Sequence, residues 1–393
     1  MKQPLLSIII PTKNRHVKLI ETVNSILKFL DDKKLEIIIQ DNSDDNKYLI
    51  NRINFENHEN VKYYYDNSVK DSVANFNDAI KNATGEYFTV IGDDDFVNPY
   101  IIDAVIKLKE SKIDVLIYPR GVYYWPDVKF EKSYMFFESS TLQFYNSNKF
   151  FFEEKNSQSE LKKILKNGGI DIGGGPCLYH GIAKKQVLDR IYNKFGSYIL
   201  GYSPDISSTI TLLLEKDTFH YTQTCLTIPG ASFNSAAGMG RRGAHSTTLD
   251  ELPDIVPKKM LEDWDENLPR IWNGFTFNAI SIYSVLNWYK KKYKLDYNKH
   301  YTRIISDNIY NYKYIKCINS FKELKITTKI EIISIGFLMY SIKIIFGYLP
   351  KVIKNILITL HPFYSKKKYY TNVKNIDQAM IILKNYFHFI LDK

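Results

Sequence analysis

Leu5-Leu6-Ser7-Ile8-Ile9-Ile10-Pro11-Thr12-Lys13-Asn14-Arg15 is a short, almost continuously apolar run that stops at a proline and four polar residues. A strand whose two faces are both covered by helices has this composition, because neither face meets water. Leu19, Val23, Ile26, Leu27 and Leu30 follow at i, i+4, i+7, i+8 and i+11, one face of a helix able to cover a sheet. Leu35 to Gln40 is a second apolar run. Strand, helix and strand in this order predict βαβ units and a largely parallel sheet.

The pattern continues outward. Val61 to Tyr65 reads as a third strand, and a helix from Asp71 to Lys81 buries Val73, Phe76 and Ile80 before Gly85. Tyr87-Phe88-Thr89-Val90-Ile91 runs into Gly92-Asp93-Asp94-Asp95, Pro99 opens a helix to about Ser111, and Val115 to Tyr118 makes another strand. Residues 120–170 follow no firm period and read as irregular or antiparallel. Helices are expected over Lys184 to Tyr192 and Ile206 to Leu214. The glycines at 168, 169 and 173–175 suit a loop whose backbone passes close to a ligand. A second such loop spans Gly230 to Gly243.

From about Asp250 the signal is helical, so a boundary falls near Glu251-Leu252-Pro253, dividing an α/β domain over 1–250 from a helical region over 251–393. Ile332 to Leu349 is almost wholly apolar, interrupted by Lys343. Beyond Pro350, Val352, Ile353, Ile356, Leu357 and Leu360 oppose Lys351, Lys354 and Asn355, and a basic, aromatic patch carries Lys366, Lys367 and Lys368. This stretch, 325–370, reads as an element lying on an anionic membrane surface rather than one spanning it, with a buried core helix as the other alternative for its apolar part.

With 45% hydrophobic and 24% charged residues the chain has ordinary globular usage, which excludes wholesale disorder and a multispanning membrane protein. A net charge of +10 implies an anionic partner. No helix-turn-helix, zinc or aromatic RNA-binding motif accompanies it, so nucleic acid is not expected. Cys177, Cys225 and Cys317 form no CxxC pair, which argues against a zinc site or a disulfide framework and fits a reducing cytoplasm. Leu5 to Ile10 is too short for a signal-peptide core, so a cytoplasmic location is expected.

In open α/β sheets ligands bind beyond the carboxyl ends of the strands. Three places qualify: Pro11 to Arg15, Asp41-Asn42-Ser43-Asp44, and Asp93-Asp94-Asp95. Three adjacent carboxylates repel unless a cation shares them, and Mg2+ or Mn2+ held by one or two carboxylates plus substrate phosphates answers this. The alternative is that the acids cap the helix near Pro99.

Ser7 to Arg15, Asp41-Asn42-Ser43, Asn75-Phe76-Asn77, and Ala83-Thr84-Gly85-Glu86-Tyr87 leading into the acids and Pro99 together resemble the family 2 glycosyltransferases over roughly residues 5–110. The resemblance implies a GT-A fold with a nucleotide-binding half over 1–120 and an acceptor half over 121–250. It implies that Pro11, Thr12, Asn14, Arg15, Asn75, Asp93 and Asp94 meet a nucleotide diphosphate sugar, a UDP-sugar by the family's habit. Asp41 resembles the acid that recognises the base, and Asp93 with Asp95 would hold the divalent metal (Mn2+ or Mg2+). Many relatives carry an acid where this chain has Gly92. Asp205 resembles the general base of an inverting enzyme, with helix capping as the plain alternative. Arg241, Arg242 and His245 lie in a loop able to clamp a diphosphate. His180 and Cys177 either line the acceptor pocket or simply pack.

The expected function is inverting transfer of a sugar onto a glycan or undecaprenyl-diphosphate-linked acceptor for bacterial capsule, lipopolysaccharide or teichoic acid, at the inner face of the cytoplasmic membrane with its anionic lipids. Two alternatives stand beside it. A nucleotidyltransferase would want a glycine-rich phosphate loop after the first strand, and Pro-Thr-Lys-Asn-Arg has no glycine. A noncatalytic envelope scaffold would not need the intact acid triplet.

Overall fold

A computed structural model describes residues 3–30, 33–52, 57–68, 71–130, 138–147, 149–235, 237–238, 247–248, 259–308, 325–348, 353, 356, 360 and 366–391. The first three expected strands form as β1 (Leu6–Thr12), β2 (Leu35–Asp41) and β3 (Val61–Tyr65), all parallel. Every residue of β1 and β2 is buried, which explains why both are continuously apolar. Their covering helices are α1 (His16–Phe29), with Leu19, Val23 and Ile26 inward, a single turn α2 (Lys47–Ile50), and α3 (Ser72–Lys81), capped by Asp71 accepting from the Ala74 amide. On α3 Ile80 is buried, whereas Val73 and Phe76 are only partly so.

The chain then returns to the other side of β1 as β4 (Tyr87–Val90). After the acid triplet come β5 (Phe96–Val97), α4 (Ile101–Glu110) and β6 (Val115–Ile117). The irregular stretch of the sequence resolves into β7 (Val122–Tyr124), β8 (Thr141–Tyr145) and β9 (Glu153–Asn156), with a helix, α5 (Ser157–Lys166), started by the Asn156 cap. β10 (Ile182–Lys184), α6 (Lys185–Phe195), α7 (Pro204–Glu215) and β11 (Thr218–Tyr221) complete a sheet of order β3-β2-β1-β4-β10-β6-β11-β9 among the described residues. It is parallel except where β10 and β9 enter antiparallel.

β12 (Thr227–Ile228) pairs with β5, and β13 (Gly230–Ala231) pairs with β7. β14 (Thr247–Thr248) and β15 (Ile271–Trp272) flank α8 (Lys259–Glu262). The region after residue 250 carries, among its described residues, the helices α9 (Gly274–Trp288), α10 (Tyr297–Asn308), α11 (Ile326–Tyr348) and α12 (Ile376–Leu391). Its end is not separate. β16 (Lys367–Tyr370) is a strand, antiparallel to β8, and Val373, Ile376, Met380, Leu383 and Phe387 join the same apolar core as β1, β2 and α1. A period-3.6 search misses so short a strand in a basic patch.

The glycines at 168–169 allow close packing against the segments around residues 282–300. Gly168 sits at φ +71°, and a Cβ there would lie 2.8 Å from both Asp296 O and His300 N at the start of α10. That contact buries His300, whose Nδ1–H donates to Gly168 O over 2.9 Å while Nε2 is buried without a partner. Burial holds the imidazole down at about 4, opposed only by that bond. The unfolded chain takes up this proton at higher pH than the folded one, so stability is full above about 6.5 and falls as pH drops towards 4. Urea unfolding followed by circular dichroism should lose up to about 3 kcal/mol across that window from this group. His300→Asn, which keeps the donor to Gly168, should flatten the loss.

Candidate active site

The strand order reverses between β1 and β4, and the crevice beyond their carboxyl ends is where an open α/β sheet binds ligands. Thr12 ends β1 and the acids follow β4, so Thr12 Oγ1 donates to Asp93 Oδ2 over 2.5 Å. Arg15, where α1 begins, forks onto Asp93 with Nη2 2.6 Å from Oδ1 and Nε 3.2 Å from Oδ2, and its Nη1 reaches Asp94 Oδ1 at 3.4 Å. Asp94 Oδ2 accepts from the Ser232 amide and hydroxyl at 3.0 and 2.7 Å. Burial raises the carboxyls of Asp93 and Asp94 above their ordinary range, with Arg15 opposing.

Asp95 faces the other way. It accepts from the Gly92 and Gly230 amides and from Tyr179 Oη, and His180 Nε2 stands 3.0 Å from Oδ2. Burial alone would raise this carboxyl, but His180 and the two amides hold it below its usual value. His180 takes the left-handed region at φ 60°, with Nδ1 2.9 Å from Thr227 Oγ1. Backbone in that region is characteristic of a position over-determined by its surroundings. Gly230 is required here for space, since a Cβ would lie 1.9 Å from Asp94 O.

A cavity of about 560 Å³ opens beside Arg15, walled also by Asn14, His16, Lys18, Tyr48 and Ser232. Asn14 (φ 56°) and Asp44 clasp each other, Nδ2 to Oδ2 at 2.9 Å and Asp44 N to Oδ1 at 3.0 Å, tying the loops after β1 and β2 together. Lys18 lies 3.7 Å from the centre of the Trp125 ring and 3.1 Å from Asp127. Pro11 is a buried residue of β1. Asp41, expected to read the base, is fully buried: Oδ1 takes the Ser43 amide, and Oδ2 lies 3.0 Å from His16 Nε2 and 2.9 Å from Tyr63 Oη. It reaches the cavity only through His16. Asn75 is likewise buried, its amide towards Gln40 O, and is not on the cavity wall.

Asp205 lies in the first turn of α7, where Oδ1 accepts from the Ile206 amide at 2.9 Å and from Ser203 Oγ. Among the described residues nothing donates to Oδ2, so capping and an available oxygen coexist. Cys177 is buried with Sγ on Asp205 O, and burial pushes its thiol up, which is packing rather than reactivity. Two residues escaped the sequence. Arg120 donates to Tyr179 O at 3.1 Å, and charge attraction to Asp205 helps keep it protonated against burial. Tyr179 binds Asp95 and packs on Phe76. Arg120 stands two residues past Tyr118, so the rule of polar residues after strands, applied to this strand too, would have found it. Arg241, Arg242 and His245 lie outside the described residues.

The side chains as arranged do not fit a divalent ion on Asp93 and Asp95. Asp95 is saturated by donors on its own side, and Asp93 is held by Arg15 and Thr12. Among the described residues no group of three or more His, Cys, Asp or Glu is placed to hold an ion.

A family model described as glycosyl transferase family 2 matches residues 7–174. The GalNAc(5)-diNAcBac-PP-undecaprenol beta-1,3-glucosyltransferase of Campylobacter jejuni is 37% identical over 95 residues, 23% of this chain and 30% of that protein. The chain thus spans less than a third of that relative. A structure of S. aureus TarS in complex with UDP-GlcNAc aligns over 98% of this chain and 92% of that one, at 15% identity and a TM-score of 0.43. Another S. aureus TarS structure aligns over 58% of this chain and 37% of that one, at 19% identity and a TM-score of 0.41.

The four contacts on Asp95 make it the structural acid of the triplet. Asp95→Ala leaves buried amides and hydroxyls unpaired and should lower the unfolding free energy by about 3 kcal/mol or more, read by urea titration. Asp94→Asn, whose Oδ1 faces Arg15 alone, should lose about half that or less.

Proposed function

We propose that this chain, whose residues 7–174 form a family 2 glycosyl transferase domain on a GT-A type α/β sheet, moves a sugar from a nucleotide diphosphate donor, a UDP-sugar first among them, to a glycan or lipid-linked glycan in bacterial surface polysaccharide synthesis. One observation carries this reading: the cavity beyond the carboxyl ends of β1 and β2 is lined by Arg15 and Lys18, with Asp44, Asp45 and Asp127 also on its wall, and has the size of a small-ligand site. Cationic side chains there compensate a diphosphate as it leaves. Asp41 acts on the nucleotide through His16, which it orients. Asn14 is part of the wall, and Pro11, Thr12 and Asn75 support it from behind. Residues 1–120 serve the donor and 121–250 the acceptor.

Asp205 is the base. Its Oδ2 takes the acceptor hydroxyl's proton, the freed oxygen bonds to the anomeric carbon, and the bond from that carbon to the diphosphate breaks on the opposite face, inverting the linkage. Arg120 is drawn by the charge of Asp205 and donates to Tyr179 O. A screen of UDP, GDP, CDP and dTDP sugars against a lipid-linked acceptor tests the activity, and no turnover or donor hydrolysis with any of them would sink it. Asp205→Asn should keep donor affinity within about threefold while transfer falls by about 10² to 10⁴.

The location proposed is the inner face of the cytoplasmic membrane. No helix among the described residues is long and apolar enough to cross a membrane. Yet α11 exposes Ile330, Phe337, Leu338, Ile342 and Ile345, each about half or more accessible, on an arc opposite buried Ile332. Apolar exposure of this extent on a helix marks an interaction surface. Lys368 and the neighbouring basic patch supply attraction to anionic lipid. Truncation is no test, since α12 belongs to the core. Full-length Phe337→Ser/Leu338→Asn/Ile342→Asn should float with anionic vesicles several-fold less than wild type, and wild-type flotation should weaken with salt. Equal recovery of both proteins would remove the membrane from the proposal.

A further inference from the structure

A divalent ion and the Arg15 guanidinium compete for the same oxygens. Arg15 forks onto both oxygens of Asp93 and extends a third N–H towards Asp94 Oδ1, the one oxygen of that pair with no shorter bond. Mg2+ or Mn2+ demands oxygens at about 2.0–2.1 Å and near-octahedral room, which a guanidinium lying across the same carboxylates denies on charge and on space. Asp95 offers no substitute, because its four contacts come from the opposite side. Arg15 is not sealed in: its side chain is 25% exposed and lies on the cavity wall, so it has open space into which to withdraw.

We propose that Arg15 is the resident counter-cation of the Asp93–Asp94 pair, and that a divalent ion occupies this pair only after the guanidinium has left it. Arg15 thereby sets the affinity of the crevice for metal. This competition does not rest on the donor reading above.

The test is titration of the ligand-free, full-length protein with Mn2+ alone, following the paramagnetic resonance of free Mn2+. Arg15→Ala should bind Mn2+ about tenfold or more tightly than wild type, a difference within reach of one displaced charge. Arg15→Lys, which keeps a cation at the site, should stay near wild type, and Asp94→Asn added to Arg15→Ala should abolish the gain. Mn2+ binding by Arg15→Ala no tighter than wild type, including no binding by either, overturns the proposal. If Arg15→Ala does not fold, the wild type decides: phenylglyoxal modification of Arg15, followed by peptide mass spectrometry, should accelerate when Mn2+ is added, and an unchanged rate overturns the proposal. A UDP-sugar titration in excess chelator is read separately. Its failure would count against the donor reading and leave the Mn2+ result standing.

Discussion

Three carboxylates in a row, all buried where two parallel strands end, are the constraint around which this molecule is arranged. Isolated, such a cluster would neutralise itself by taking up protons, because burial disfavours the charged form and neighbours of like sign add to it. The fold instead brings a separate partner to each acid. Arg15 and Thr12 come from the end of β1 and the residues after it, the Ser232 amide and hydroxyl from beyond β13, and Tyr179, His180 and the Gly230 amide from segments later in the chain. The acid loop is therefore the point at which the two halves of the α/β unit are joined.

That joining explains features with no local cause. Gly230 must lack a side chain because the acid loop backbone passes against it, and Trp125 donates its indole N–H to Asp94 O over 2.9 Å from a third direction. The same tryptophan carries Lys18 on its ring, so the cavity wall and the acid loop share a support. His180 holds a left-handed backbone to keep its imidazole between Asp95 and Thr227. Solvent begins on the Arg15 side of the crevice, where that side chain is 25% exposed.

The far end of the chain returns to the same body. β16 extends the small sheet of β13, β7 and β8, and α12 packs its apolar face on α1 and Phe144. Between the core helices and that return lies α11, whose apolar arc faces outward. In sequence this exposed helix stands between elements of the same body, α9 and α10 before it and β16 and α12 after it.

The alternation of strands and helices to residue 120, the face of α1, and the placing of three polar clusters at strand ends were all legible in the amino-acid order, because side-chain periodicity is a local property and burial on both faces writes a continuous apolar run. What each acid does was not legible. Adjacent residues on a tight turn point in different directions, and the directions are chosen by partners distant in sequence, as with Asp95 and Gly230. Asp41, expected to read the base, is met by His16 and Tyr63, contacts set by the packing of α1 and β3 against β2. Arg120, the strand β16 and the packing use of Gly168 stayed hidden for the same reason: each takes its meaning from a segment that only the tertiary fold brings alongside.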